Sequence, residues 1–363
     1  MKKQFVKILS LSALLVSTSL IFSSCDKDDD DGDDKTVNSA KRVYILNEGK
    51  MGSNNATLDV YYPDGKNAYQ SKIFAAANGQ GLGDTGQDLI AYGDRLYVSV
   101  SGSNYLAKLD QKGKIVEQYS FTETEGSPRY LAAKDGFIYV STWGNKVMKF
   151  DTATIVAPKG SVEVGLNPEG IAVKGNDLIV CNSTEYPVND STISVIDLTT
   201  FSLKKSIKAQ VGNFQRVAVV GDSVYITYYT PTYSIEMVNI DVESDIVKPS
   251  GSATNMVSFD DKLYCANSAT VYDADWNATI NTNFFVRDVK TGKDSEILDL
   301  TSAPELKTAT VYLFEIDPDN GDFYVGAADY VTNGTIYRFD KTGKFITKFE
   351  TSGISPNHAA FVK

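Results

Sequence analysis

A short apolar pattern, centred on tyrosine in six of its copies, returns seven times along this chain. It reads Val43-Tyr44-Ile45, Leu96-Tyr97-Val98, Ile138-Tyr139-Val140, Leu178-Ile179-Val180, Val224-Tyr225-Ile226, Leu263-Tyr264-Cys265 and Phe323-Tyr324-Val325. A Gly or Asp turn usually stands just before it, as in Gly93-Asp94, Asp135-Gly136, Gly221-Asp222 and Gly321-Asp322. These residues tolerate the positive φ of tight hairpins. Upstream of the turn lies a second apolar segment, such as Leu89-Ile90-Ala91 or Ile171-Ala172-Val173. Downstream, a third strand ends in Asp, as at Asp110, Asp151, Asp197, Asp241 and Asp340. A turn and a fourth strand complete the unit. Four strands in about 47 residues, seven times over, is the period of propeller blades. No stretch carries a sustained helical period, which excludes a helical repeat. The expected fold is all-β, a seven-bladed β-propeller of four-stranded blades over residues 41–363.

The ends of the repeat array say how the ring closes. Val43-Tyr44-Ile45 has no apolar strand before it, and Asn357-His358-Ala359-Ala360-Phe361 resembles an inner strand with no blade after it. The C-terminal strand is therefore expected to complete the first blade, which removes a free sheet edge.

Residues 1–24 read as a targeting segment. Lys2, Lys3 and Lys7 precede an apolar run from Ile8 to Phe22, which is short for a transmembrane helix. The run ends in Ser23-Ser24-Cys25 and resembles a bacterial lipobox, which implies lipidation at Cys25. Residues 25–40 then form a tether whose acidic run, Asp26 to Asp34, self-repels and stays solvated. That run also resembles the export signal of Bacteroidetes lipoproteins displayed at the cell surface. The whole chain carries a net charge of -11, which argues against nucleic acid as a partner. Three cysteines make no disulfide framework, and Cys181 and Cys265 fall in non-adjacent blades, where buried free thiols are expected.

In a propeller the starts of the inner strands and the loops joining second to third strands share one face. Polar residues gather at those starts: Gln87 and Asp88, Arg129 and Tyr130, Glu169, Gln215 and Arg216, Asn255, Tyr312, and Asn357 with His358. They either bind a ligand at the central channel or simply solvate its mouth. The loops add Glu48, Trp143, Asn145, Tyr186, Tyr228, Tyr229, Trp276 and Tyr330. Each aromatic side chain either packs on a neighbouring blade or stays open to a guest; the set as a whole suits stacking with orienting hydrogen bonds. The candidate ligand-binding residues are thus Glu48, Gln87, Asp88, Arg129, Trp143, Asn145, Glu169, Tyr186, Gln215, Arg216, Tyr228, Tyr229, Trp276, Tyr330 and His358. The glycine run of residues 79–86 leads into a strand, not a helix, so a dinucleotide reading fails. Catalysis has weak support. His358 is the sole histidine, and a channel metal held by Glu48, Asp88, Glu169 and Asn255 is the hydrolase alternative.

Tyr44-Ile45-Leu46-Asn47-Glu48-Gly49, Asn54-Asn55-Ala56 and the stretch from Asn78 to Asp88 resemble the YncE-like, surface-layer-type propeller lipoproteins of Bacteroidetes. Within that group the chain is similar to the BtuG-type lipoproteins. The resemblance implies a surface-exposed, lipid-anchored outer-membrane protein that captures cobalamin (vitamin B12). It implies delivery to a TonB-dependent transporter, with cobalamin as ligand rather than cofactor and no catalytic residue. A surface protein for another ligand, such as a glycan, or for a partner protein is the alternative.

Overall fold

The structure is a computed structural model that describes residues 42–363 apart from 66–67, 186–187, 233 and 273–277. The expected lipidation site Cys25 and the candidates Tyr186 and Trp276 lie outside the described residues.

Seven four-stranded antiparallel sheets make a seven-bladed β-propeller. Their inner strands are Pro356–Val362 in blade 1, Gly86–Tyr92 in blade 2, Pro128–Lys134 in blade 3 and Ile171–Lys174 in blade 4. Blades 5, 6 and 7 begin with Phe214–Val220, Asn255–Phe259 and Thr310–Ile316. Each repeat of the tyrosine pattern lies in a second strand, and Tyr44, Tyr97, Tyr139 and Tyr324 are among the largest fully buried side chains. Ring closure occurs as the chain ends imply: Val43 faces Phe361 and Ile45 faces Ala359 across an antiparallel pair.

The core lies between blades rather than inside them. Seven clusters of buried side chains occupy the seven blade–blade interfaces. Leu46, Leu58 and Val98 join blades 1 and 2; Ile193, Phe214 and Ile226 join blades 4 and 5. Val43, Ile45, Leu313 and Ile336 seal the joint between blades 7 and 1. Each large apolar side chain so buried stabilises the ring by about 1.5–3 kcal/mol.

The aspartates ending the third strands have a local task. Asp110 Oδ1 accepts from the backbone N–H of Lys112 and Lys114, Asp197 from Thr199 and Thr200, and Asp340 from Thr342 and Lys344. The carboxylate thereby satisfies turn donors that the sheet leaves free.

Two features go beyond the repeat. A six-residue helix, Ile73–Asn78, bridges blades 1 and 2 with Ile73 and Phe74 buried and Gly79 as its left-handed cap. It is too short to leave a period in the sequence. Blade 4 carries an inserted hairpin, Thr184–Glu185 with Val188–Asn189, between its second and third strands. Among the described residues, no helix is long and apolar enough to cross a membrane.

Candidate functional site at the channel mouth

Five inner strands are irregular close to their starts. The register shifts between Gly86 and Asp88, Pro128 and Leu131, Phe214 and Val217, Val311 and Leu313, and Pro356 and His358. The residues inside these bulges are Gln87, Arg129 with Tyr130, Gln215 with Arg216, Tyr312, and Asn357. A bulge breaks strict alternation and re-aims a side chain that the pleat would send elsewhere. The freed backbone donors are recovered by hydroxyls of the second strands: Tyr130 N–H donates to Ser141 Oγ (3.0 Å), Arg216 N–H to Thr227 Oγ1 (3.2 Å) and Val311 N–H to Ser268 Oγ (3.0 Å).

At the mouth these residues build two polar assemblies. Arg129 Nε and Nη2 donate to the two oxygens of Glu169 at 3.0 and 3.1 Å, and Nη1 donates to Ser101 Oγ at 3.2 Å. Trp143 lies over the guanidinium, 4.2 Å from ring centroid to Cζ, and its indole N–H donates to Glu169 Oε1 at 3.0 Å. Cation–π contact and hydrogen bond together fix the indole, whose outer part stays 46% exposed. Across the mouth the Tyr312 hydroxyl donates to Glu48 Oε2. The Tyr330 ring stands edge-on to Tyr312 at 5.5 Å. Burial pushes the Glu48 carboxyl above its usual range, against the opposing pull of the Tyr312 bond and of Arg129, Arg216 and His358. Tyr330 and Tyr229 remain 50% and 38% exposed.

Below the mouth the inner strands enclose a cavity of about 390 Å³. Asp88, Tyr130, Arg216, Glu315 and His358 bring polar groups to its wall, while blade 6 contributes Met256 and blade 4 contributes Gly170. His358 Nδ1 lies 3.3 Å from Asp88 Oδ1 and 3.6 Å from Glu315 Oε1, with the Tyr130 ring edge-on at 6.0 Å.

The structure therefore brings Glu48, Arg129, Trp143, Glu169, Arg216, Tyr229, Tyr330 and His358 to the mouth or channel. It assigns other candidates to the scaffold, correcting the view that the strand starts simply point inward. Asp88 is 4% exposed and both its oxygens accept backbone donors, Leu89 N–H and, from the next blade, Leu131 N–H, each at 2.7 Å. Asn357 Nδ2 likewise donates to the Gly86 and Gln87 carbonyls of blade 2, and Asn255 Nδ2 to Val311 of blade 7. Gln87 is buried within its bulge. Gln215 Nε2 is taken up by Ser183 and Asn213, and Asn145 Oδ1 by the N–H of Asn167. Tyr228 is a correction of parity: next to exposed Tyr229, it points into the cluster between blades 4 and 5, and its hydroxyl donates to Glu236 at 2.6 Å. The four residues of the metal-hydrolase alternative do not converge either, since Glu48, Asp88, Glu169 and Asn255 each hold a different protein partner. Among the described residues, no three His, Cys, Asp or Glu side chains are grouped to hold a metal ion.

Sequence reasoning missed Glu315, Met51 and Val331. Glu315 is the one charged residue of the inner strand Thr310–Ile316, a usable signal in the sequence. Met51 and Val331 are 83% and 76% exposed on second-to-third-strand loops, the same face as Trp143, Tyr229 and Tyr330.

Fold and mouth together define a propeller with a polar channel opening among exposed aromatic rings. Residues 41–355 match the model of a domain of unknown function, DUF5074, and the chain belongs to that family. No curated protein matches it. Among solved structures it is similar to Kuenenia stuttgartiensis hydrazine synthase, at 15% identity over 75% of this chain and 92% of that one, with a TM-score of 0.57. The computationally designed Ika8 protein matches at 13% identity over 75% and 88%, with a TM-score of 0.50. Citrobacter koseri AztD matches at 13% over 89% and 98%, with a TM-score of 0.49. At such identities the likeness is one of fold.

Proposed function

We propose that this protein captures an organic ligand at the channel mouth without transforming it, and that the ligand is cobalamin. The observation that carries the binding reading is the set of half-exposed rings Trp143, Tyr229 and Tyr330 around one polar opening. Exposed rings lose about 25 cal/mol per Å² of apolar surface relative to burial, and a flat, amide-fringed guest would cover them. Arg129 and Arg216 supply donors beside the rings, suited to amide or phosphate oxygens. The choice of cobalamin rests on the resemblance of residues 44–49, 54–56 and 78–88 to the YncE-like propeller lipoproteins, and on the similarity of the chain within that group to the BtuG type. Capture rather than turnover accords with Asp88 and Glu169, whose oxygens are already engaged by protein donors, and with Glu48, one oxygen of which accepts from Tyr312.

The same resemblance, with Cys25 and its acidic run, supports a lipid anchor at Cys25, display on the outer membrane and transfer to a TonB-dependent transporter. Met51 and Val331 at the loop tips add apolar surface on the mouth side, suited to contact with such a partner.

Calorimetric titration of residues 36–363 with cyanocobalamin tests the reading. One-to-one binding that weakens at least about tenfold in Trp143→Ala and in Tyr330→Ala, and is unchanged in Tyr228→Phe, supports it. No heat, and no corrin colour retained on gel filtration, overturns cobalamin. Binding of a glycan with the same dependence on Trp143 would keep the site and replace the ligand.

A further inference from the structure

The channel below the aromatic rim holds opposite charges that do not neutralise each other. Arg216 is half-buried on the blade 5 wall of the cavity. Among the described residues, its guanidinium has no hydrogen-bond or ion-pair partner. Glu315 lies on the blade 7 wall, where His358 Nδ1 is 3.6 Å from its Oε1. Arg216 feels Glu315, Asp88, Tyr130 and Tyr312 electrostatically, yet no ion pair joins it to Glu315. Blade 6 stands between them and offers only the thioether of Met256 to the cavity.

A guanidinium on a channel wall without a protein acceptor is left to solvent, which a ligand carboxylate can replace with charge-assisted hydrogen bonds. The other ion pairs of the inner ring show what this chain does where pairing is intended: Arg129 meets Glu169 through two hydrogen bonds. Arg216 and Glu315 are instead held apart across a shared space of about 390 Å³, at the small end of ligand cavities. A simple anion drawn to Arg216 would meet the field of Glu315 and Asp88, and a simple cation drawn to Glu315 would meet Arg216. A guest carrying both charges satisfies both walls. Asp88 does not compete, because its oxygens accept backbone donors on blades 2 and 3.

We propose that the channel is a second binding site, for a small zwitterion of amino-acid size, whose carboxylate pairs with Arg216 and whose ammonium pairs with Glu315. Tyr130 and His358 border the same cavity and set the room left for a side chain. This site lies below the rim rings and does not rest on the cobalamin reading, although the two share Arg216, so a rim ligand that reaches Arg216 competes with the zwitterion.

The test is ligand-observed saturation-transfer NMR on the full chain, with the common amino acids as probes. For the best binder, the amine-free acid and the acid-free amine serve as single-charge controls. The expected result is saturable transfer from at least one amino acid, weakened at least about tenfold in each single-charge control and lost in both Arg216→Ala and Glu315→Gln. The near-isosteric Glu315→Gln keeps the test decisive if Arg216→Ala does not fold. The proposal is overturned if no amino acid shows saturable transfer. It is equally overturned if Glu315→Gln binds as wild type, or if the amine-free acid binds as tightly as the amino acid.

Discussion

Arg129 and Glu169 stand at the starts of neighbouring blades 3 and 4 and meet through two parallel hydrogen bonds of 3.0 and 3.1 Å. Their side chains are 13% and 6% exposed. The pair ties two blades at the mouth and holds Trp143 by its N–H and its face.

Truncating one partner of such a pair strands the other charge. Glu169→Ala is therefore expected to destabilise the fold by about 3–5 kcal/mol, with Glu169→Gln costing less because its carbonyl oxygen still accepts one bond. Urea denaturation of the two variants against wild type measures the difference, and equal midpoints in all three would show that the pair is dispensable.

Asp329 shapes the loop that presents Tyr330. Its carboxylate accepts from Thr332 Oγ1 and from the backbone N–H of Thr332 and Val331, which together hold its pKa down at about 2. Tyr330 follows with a φ of +63°, a left-handed conformation that the loop must impose. A depressed folded pKa means that the contribution is present above the ordinary Asp value, about 3.9, and is lost as the pH falls towards 2. A carbon-detected NMR titration should show Asp329 ionising well below an ordinary Asp. Asp329→Ala should broaden the Tyr330 ring signals and weaken ligand binding at the mouth; a sharp, unmoved Tyr330 would refute the coupling.

Glu48 titrates in the opposite sense. Burial raises its pKa in the folded protein, so the folded state holds its proton more tightly than the unfolded chain. Its contribution is fully present below the ordinary Glu value, about 4.3, and is lost as the pH rises from there through the folded value. The stability of wild type relative to Glu48→Gln should decline across that window and level off above it. A pH series of denaturation midpoints decides the point, and a difference independent of pH would rule it out.

Both described cysteines are buried free thiols, in blades 4 and 6. Burial pushes Cys265 up to about 12 and Cys181 well above the ordinary thiol range. Only a thiolate reacts readily, so residues 36–363 should be inert to a disulfide reagent at pH 8 when folded and yield two equivalents once denatured. Rapid labelling of the native domain would contradict the packing.

The ring was legible because its unit is local: a hairpin turn, a tyrosine-centred strand and an Asp-ended third strand all lie within one repeat. The mouth was legible in composition but not in parity. Tyr228 and Tyr229 are adjacent and equally aromatic, and only the pairing of Phe214 with Tyr228 decides which faces the core. The bulges at Arg129, Arg216 and Tyr312 add an irregularity that no alternation pattern announces. Asp88 and Asn357 look like channel groups in the sequence, yet they bind the main chain of the next blade, a contact that depends on blade spacing. The bond between Tyr312 and Glu48 spans 264 positions and exists only because the circle closes.

That closure also means the circle has no natural beginning. Arg42 faces Val362, so the described chain enters and leaves through paired strands of one sheet. A circularly permuted gene, with a short linker joining Lys363 to Arg42 and new ends opened in an exposed hairpin such as Gly175-Asn176, would spell the same seven blades in rotated order. Which blade is translated first is, for this architecture, a matter of gene order rather than of geometry.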